Sequence, residues 1–203
     1  SLALAGSQLV FLERGAKIEE LRARGLRLDL TLDERRKTKD AFRLDSSSVV
    51  FVSSMEDALR YGPFDLVLFA LKSYDTSAAL ETLKPYADKM PPILCLSNGI
   101  SNEQAIARVA GKEKVIYGTV TTAVGRRGPG DIVLERLRGV GIAKGHPLVA
   151  SLFVAFENAL LNPRLFDDAM EMKWSKLLTN LIANPTSAIL DMTAAEILAN
   201  RKL

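Results

Sequence analysis

The sequence is short of the residues on which metal and disulfide chemistry depends. It contains one cysteine, Cys95, and one histidine, His146. A single cysteine excludes an internal disulfide and leans towards a reducing compartment, so a cytoplasmic location is expected. One His and one Cys suggest no metal site. No apolar run approaches the roughly 20 residues of a membrane-spanning helix. The opening SLALAG is too short for the apolar region of a signal peptide and lacks a basic flank. Charge of one sign is also scarce: 27 Lys and Arg against 24 Asp and Glu leave a net +3, with bases and acids interleaved as in DERRKTKD. Without a basic stripe or interleaved aromatics, nucleic-acid binding is not expected. A phosphate-cradling G-x-G-x-x-G is absent. GRRGPGD is too polar for that role, precedes a strand, and reads as a hairpin turn.

What is present is ordinary for a globular chain. The 203 residues are 48% apolar and 25% charged, enough for one large domain or two small ones. Along the first two-thirds, strands and helices alternate. QLVFLE, LRLDL, SVVFVS, PILCLS and KVIYGTV read as strands, and DLVLFAL is a continuous apolar run of the kind covered on both faces in a parallel sheet. AKIEELRARG, SMEDALRYG (capped by Ser54), YDTSAALETLKPYA and NEQAIARVAG read as helices between them. The charged stretch after LRLDL reads as a loop. Repeated strand–helix–strand units predict an α/β fold with a mostly parallel sheet. DIVLER and GVGIAKG are expected as a hairpin closing the sheet. From His146 onward the pattern is helical, with a last helix starting near Thr193. A boundary near residue 145 therefore separates residues 1–145 from an all-α segment, residues 146–203. The chain opens on Ser and closes on what reads as a helix cut short, so both ends of a longer protein are expected to be missing.

Polar residues mark where chemistry could occur. In an open parallel sheet, ligands bind at the carboxyl ends of the strands. Arg14, Lys72 and Asn98 fall there, at the ends of VFLER, LVLFALK and ILCLSN. Lys72 could equally be a solvated loop lysine, and Asn98-Gly99 a turn dipeptide. An Arg after the second strand of a dinucleotide fold fits a 2′-phosphate, hence NADP, although Glu13 beside it argues the other way. In KWSKLLTNLIANP, Lys176, Asn180 and Asn184 recur every four residues and so share an arc of roughly 80° on a helix. The rest of that helix is apolar enough to be mostly buried, and Pro185 is expected to limit it. Buried Lys and Asn need partners, from the protein or from a ligand. Lys173 reads as a solvated neighbour, Trp174 as core or cleft wall, His146 as structural and Cys95 as a small buried hydrophobe.

The stretches VFLERG, DLVLFALKSYD, ILCLSNGISNEQAI, VIYGTVTTA and KWSKLLTNLIANPTSAIL, in that order, resemble the ketopantoate reductase family. The resemblance implies a Rossmann-like NADP-binding domain, an all-α substrate domain, and an active site between them. It implies that NADPH reduces the C2 ketone of 2-dehydropantoate to pantoate, for pantothenate and coenzyme A synthesis. Lys176 then matches the general acid. Asn180 and Asn184 match residues that hold it and the substrate, Asn98 the asparagine at the nicotinamide end, and Arg14 and Lys72 the positions near the 2′-phosphate. A possible homodimer is implied by analogy. A reductase of another 2-oxo acid, or a non-catalytic binding protein on the same fold, are the alternatives. The absent glycine loop favours the non-catalytic protein, and the intact polar row with Asn98 favours a reductase, of 2-dehydropantoate or of another 2-oxo acid.

Overall fold

The computed structural model describes residues 1–13, 15, 17–30, 41–45 and 48–200. Arg14 and the charged stretch after LRLDL lie outside the described residues. Strand β1 (Val10–Leu12) leads through α1 (Lys17–Arg24) to β2 (Leu26–Asp29), β3 (Ala41–Leu44) and β4 (Val50–Val52). Helix α2 (Met55–Leu59), β5 (Val67–Phe69), α3 (Thr76–Leu83), β6 (Ile93–Cys95), α4 (Asn102–Ala110) and β7 (Val115–Val120) alternate as the apolar pattern predicts. Then follow β8 (Ala123–Gly128), β9 (Asp131–Arg136), β10 (Val140–Ala143), α5 (Val149–Asn158), β11 (Pro163–Phe166), α6 (Ala169–Leu190) and α7 (Ala194–Ala199).

Local chemistry sets several of these bounds. Helix α1 stops at Gly25, whose φ of +69° a side chain would resist. Ser54 Oγ accepts a hydrogen bond from the Asp57 N–H at the start of α2, the expected cap. Thr193 and Glu196 form a capping box at α7. His146 Nδ1 accepts from the Leu148 N–H, so the single histidine shapes the turn into α5.

Three sheets result among the described residues. Strands β1 and β4 form a parallel pair. A five-stranded sheet has the order β11-β10-β7-β6-β5, with β5, β6 and β7 parallel. A four-stranded sheet has the order β3-β2-β9-β8. Strand β6 lies between β7 and β5 in the five-stranded sheet, and its side chains alternate between two cores. Ile93 and Cys95 pack with Phe69, Leu80, Ile106 and Val115. Leu94 packs with Ile116, Ile142, Val149 and Phe156 on the other face. Gly118 in β7 lets the strands nest, because a Cβ there would stand 2.7 Å from Leu94 Cδ1 and 2.9 Å from Leu96 Cδ2.

The structure corrects several expectations. DIVLER and GVGIAKG do not form a hairpin: β9 pairs with β8 and β2, while β10 pairs with β7 and β11. The hairpin is β8–β9, with GPGD at its turn, and the preceding GRR belongs to β8. Strand β11 interrupts the segment after His146 that was expected to be helical, and pairs in parallel with β10. Strand β5 is covered on one face only, with Leu68 39% exposed. Pro185 does not end α6 but lies inside it. Pro185 has no N–H to donate to the Leu181 carbonyl, and both residues are exposed.

Candidate functional site

The carboxyl ends of β5 and β6 carry Lys72 and Asn98, both exposed. Their backbone is tied together. Ser73 Oγ and Asn102 Nδ2 each donate to the Asn98 carbonyl at 2.7 Å. Thr76 Oγ1 donates to Asn102 Oδ1 at 2.8 Å, and Ser97 Oγ donates to the Leu71 carbonyl at 2.8 Å. These bonds join the tips of two adjacent strands to the starts of α3 and α4. The Asn98 side chain makes no hydrogen bond among the described residues and is left for other partners.

Helix α6 starts under an Asp168 cap, whose Oδ1 accepts from the Met170 and Glu171 N–H groups at 2.7 and 2.8 Å. It packs against β7 and β10. Lys176 and Asn180 are half-buried on this helix and Asn184 is exposed. None of the three side chains makes a hydrogen bond or ion pair among the described residues, so Asn180 does not hold the Lys176 ammonium by a direct bond here. Burial, and then the Arg138 guanidinium, hold the Lys176 amine below the ordinary lysine pKa. That is a direction useful to a proton donor working near neutral pH.

The expected solvated neighbour, Lys173, is instead the most buried polar residue of the helix. Its Nζ lies 2.6 Å from Glu103 Oε1, with side-chain exposures of 2% and 0%. It donates to the Ser97 carbonyl at 2.8 Å and to the Gly118 carbonyl at 3.2 Å. The contact with Glu103 is an ion pair without the angles of a directed hydrogen bond, and Glu103 Oε2 takes no nitrogen or oxygen donor among the described residues. The same carboxylate reaches β6 and β7. Burial, and then Glu103, push the Cys95 thiol up to about 12 and raise the Tyr117 phenol in the same order of causes. Cys95 is thus the inert buried residue its setting in PILCLS suggests.

The apolar side of α6 also departs from expectation. Trp174, Leu178 and Leu181 are 47%, 55% and 51% exposed, so Trp174 is not a core residue. The polar row lies on the side of the helix shared with buried Lys173, and the leucines face outward. The signal available in sequence was angular: Lys173 falls within the arc of Lys176, Asn180 and Asn184. Its partner Glu103 gave none. Among the described residues no group of His, Cys, Asp and Glu could hold a metal ion, and no helix is long and apolar enough to cross a membrane.

A largely parallel sheet with polar residues at its strand tips, tied to α6 through Lys173, defines an α/β protein of the Rossmann-like fold class. The family model for ketopantoate reductase PanE/ApbA matches residues 1–145, and the chain belongs to that family. The 2-dehydropantoate 2-reductase of Pyrococcus horikoshii is 28% identical over 196 residues, covering 94% of this chain and 59% of the relative. The crystal structure of 2-dehydropantoate 2-reductase from Geobacter metallireducens superposes with a TM-score of 0.81 at 27% identity, over 98% of this chain and 64% of that one. D-mandelate dehydrogenase, solved with NADH and anilino(oxo)acetate, shares the fold with a TM-score of 0.80 at 20% identity, over 98% of this chain and 62% of that one. The chain thus spans under two-thirds of the length of each.

Proposed function

We propose that the protein is an NADPH-dependent reductase of 2-dehydropantoate, forming pantoate for pantothenate and coenzyme A synthesis in the cytoplasm. The observation that carries this reading is the polar row of α6: a lysine with a lowered pKa and two asparagines, unpaired within the described residues, in the same helical arc as Lys173, which reaches the Ser97 carbonyl. Exposed Lys72 and the open Asn98 amide fit a nicotinamide dinucleotide in charge and hydrogen-bonding capacity. Lys72 and Arg14 would hold the 2′-phosphate, and Asn98 the nicotinamide end. The bound cofactor would supply a hydride. Lys176 Nζ would stabilise the negative charge developing on the substrate's carbonyl oxygen and then give it a proton. Asn180 and Asn184 would hold the substrate's polar groups, each amide offering donor and acceptor.

In this proposal residues 1–145 serve the cofactor and residues 146–203 the substrate, although β11 in the second segment completes the first segment's sheet. A homodimer belongs to the same proposal, with the exposed apolar side of α6 as the surface it would cover. Sedimentation velocity showing a monomer would remove it. Reduction of another 2-oxo acid is the second reading, because a fold shared with D-mandelate dehydrogenase does not choose the substrate. Steady-state NADPH oxidation against a panel of 2-oxo acids decides. The highest kcat/KM for 2-dehydropantoate supports the first reading, and no turnover of any 2-oxo acid removes both.

A further inference from the structure

The pair formed by Lys173 and Glu103 has no place in the reaction as drawn, yet it is the most deeply buried ion pair among the described residues. Removing two charges from water costs several kcal/mol each in real proteins, roughly offset by their attraction when geometry is good. Well-packed apolar residues in the same space are often as stable or more so. Fold stability therefore gives little reason for the pair.

Its connections give a better one. The Lys173 ammonium spends its contacts on three separate elements: the Ser97 carbonyl beyond β6, the Gly118 carbonyl in β7, and the Glu103 carboxylate in α4. Ser97 immediately precedes Asn98. Lys173 precedes Lys176 by three residues, which on a helix is a rise of roughly 4.5 Å and an angular separation of about 60°. The far side of Asn98 is fixed as well, since its carbonyl accepts from Ser73 and Asn102, and Asn102 accepts from Thr76. A direct bond between the residue beside Asn98 and the residue one turn from Lys176 sets the separation of those two groups.

We propose that Lys173 and Glu103 are positioning residues, which lock the Asn98 strand tip to the Lys176 turn of α6 so that both meet one substrate carbonyl. The proposal rests on the reductase reading above. It explains why a charged pair occupies this junction: an ammonium can bind two backbone carbonyls and a carboxylate at once, which no apolar side chain can do.

The test is the double substitution Lys173→Met with Glu103→Leu, which removes both charges and leaves apolar groups of similar size. The expected result is a kcat lowered at least about tenfold, in keeping with the rate cost of small misplacements, with KM values within about twofold and an unchanged or raised Tm. An unchanged kcat overturns the proposal. A fall in kcat matched by a fall in Tm also overturns it, because the pair would then serve folding alone. Should the unsubstituted protein reduce no 2-oxo acid, the reductase reading fails by itself, and amide hydrogen exchange decides the locking. Joint loss of protection at residues 97–103 and 173–180 in the double variant supports the lock, and loss at only one segment, or at neither, overturns it.

Discussion

Lys176 is held in a state that ordinary surface lysines do not share. It is half-buried, has no carboxylate partner among the described residues, and feels a like charge from Arg138. Each influence disfavours the ammonium, so the amine loses its proton at lower pH than a free lysine would. A general acid must carry that proton, and the rate should therefore fall as pH rises through the lowered pKa. Arg138→Ala removes the like charge, so the alkaline limb of the kcat profile should move to higher pH. A shift to lower pH or none would contradict the arrangement. Lys176→Ala should lower kcat at least about a hundredfold, the low end of a general acid's contribution, and an unchanged rate would remove the lysine from the mechanism. Cys95 offers a control without catalysis. With its thiol pushed up to about 12 and fully buried, native protein at pH 8 should resist iodoacetamide and react only after denaturation. Rapid native alkylation, read by mass spectrometry, would show that the Cys95 setting is wrong.

At the scale of elements, α6 is the part on which the site depends, and its start is held by one side chain. Asp168→Ala deletes the acceptor for two N–H groups and should cost about 1 kcal/mol, the usual worth of such a cap, seen as a lower Tm. A value unchanged within error would mean that water replaces the cap. Gly118→Ala should cost about 1–3 kcal/mol by overpacking, since its Cβ meets Leu94 and Leu96 below normal contact distance. What sequence reveals of these elements follows from how local their causes are. The PILCLS strand, the Gly25 stop and the Ser54 cap are each decided within a few residues, and all are legible in the sequence. The partners of β9 and β10 are decided by which sheet edges lie open, which no local pattern states. Strand β11 was missed because PRLF is short and begins on proline, a residue tolerated at a strand's first position on an edge. The polar row of α6 was legible as an angle, whereas the Lys173–Glu103 pair joins helices far apart in sequence.

The whole molecule brings these scales together at the carboxyl ends of β5 and β6, where the sheet tips meet α6. Bonds from Ser73, Asn102 and Thr76 order the tips from the α3 and α4 side, and Lys173 orders them from the α6 side. A ligand that spans this crest must meet the charge of Lys72 at one strand and the amide of Asn98 at the next. If the crest holds the adenosine 2′-phosphate near Lys72, the preference for NADPH over NADH rests on a charge that forms no ion pair among the described residues. Lys72→Ala should then lower kcat/KM for NADPH at least about tenfold, the loss of roughly one charge-assisted hydrogen bond, and leave the value for NADH nearly unchanged. Arg14→Ala should act in the same direction. Because a phosphate contact is screened by salt, the NADPH preference of the unsubstituted protein should shrink as ionic strength rises, and that of the Lys72 variant should shrink less. Equal losses for both cofactors in the Lys72 variant would move that lysine from the phosphate to a part of the dinucleotide that NADH and NADPH share.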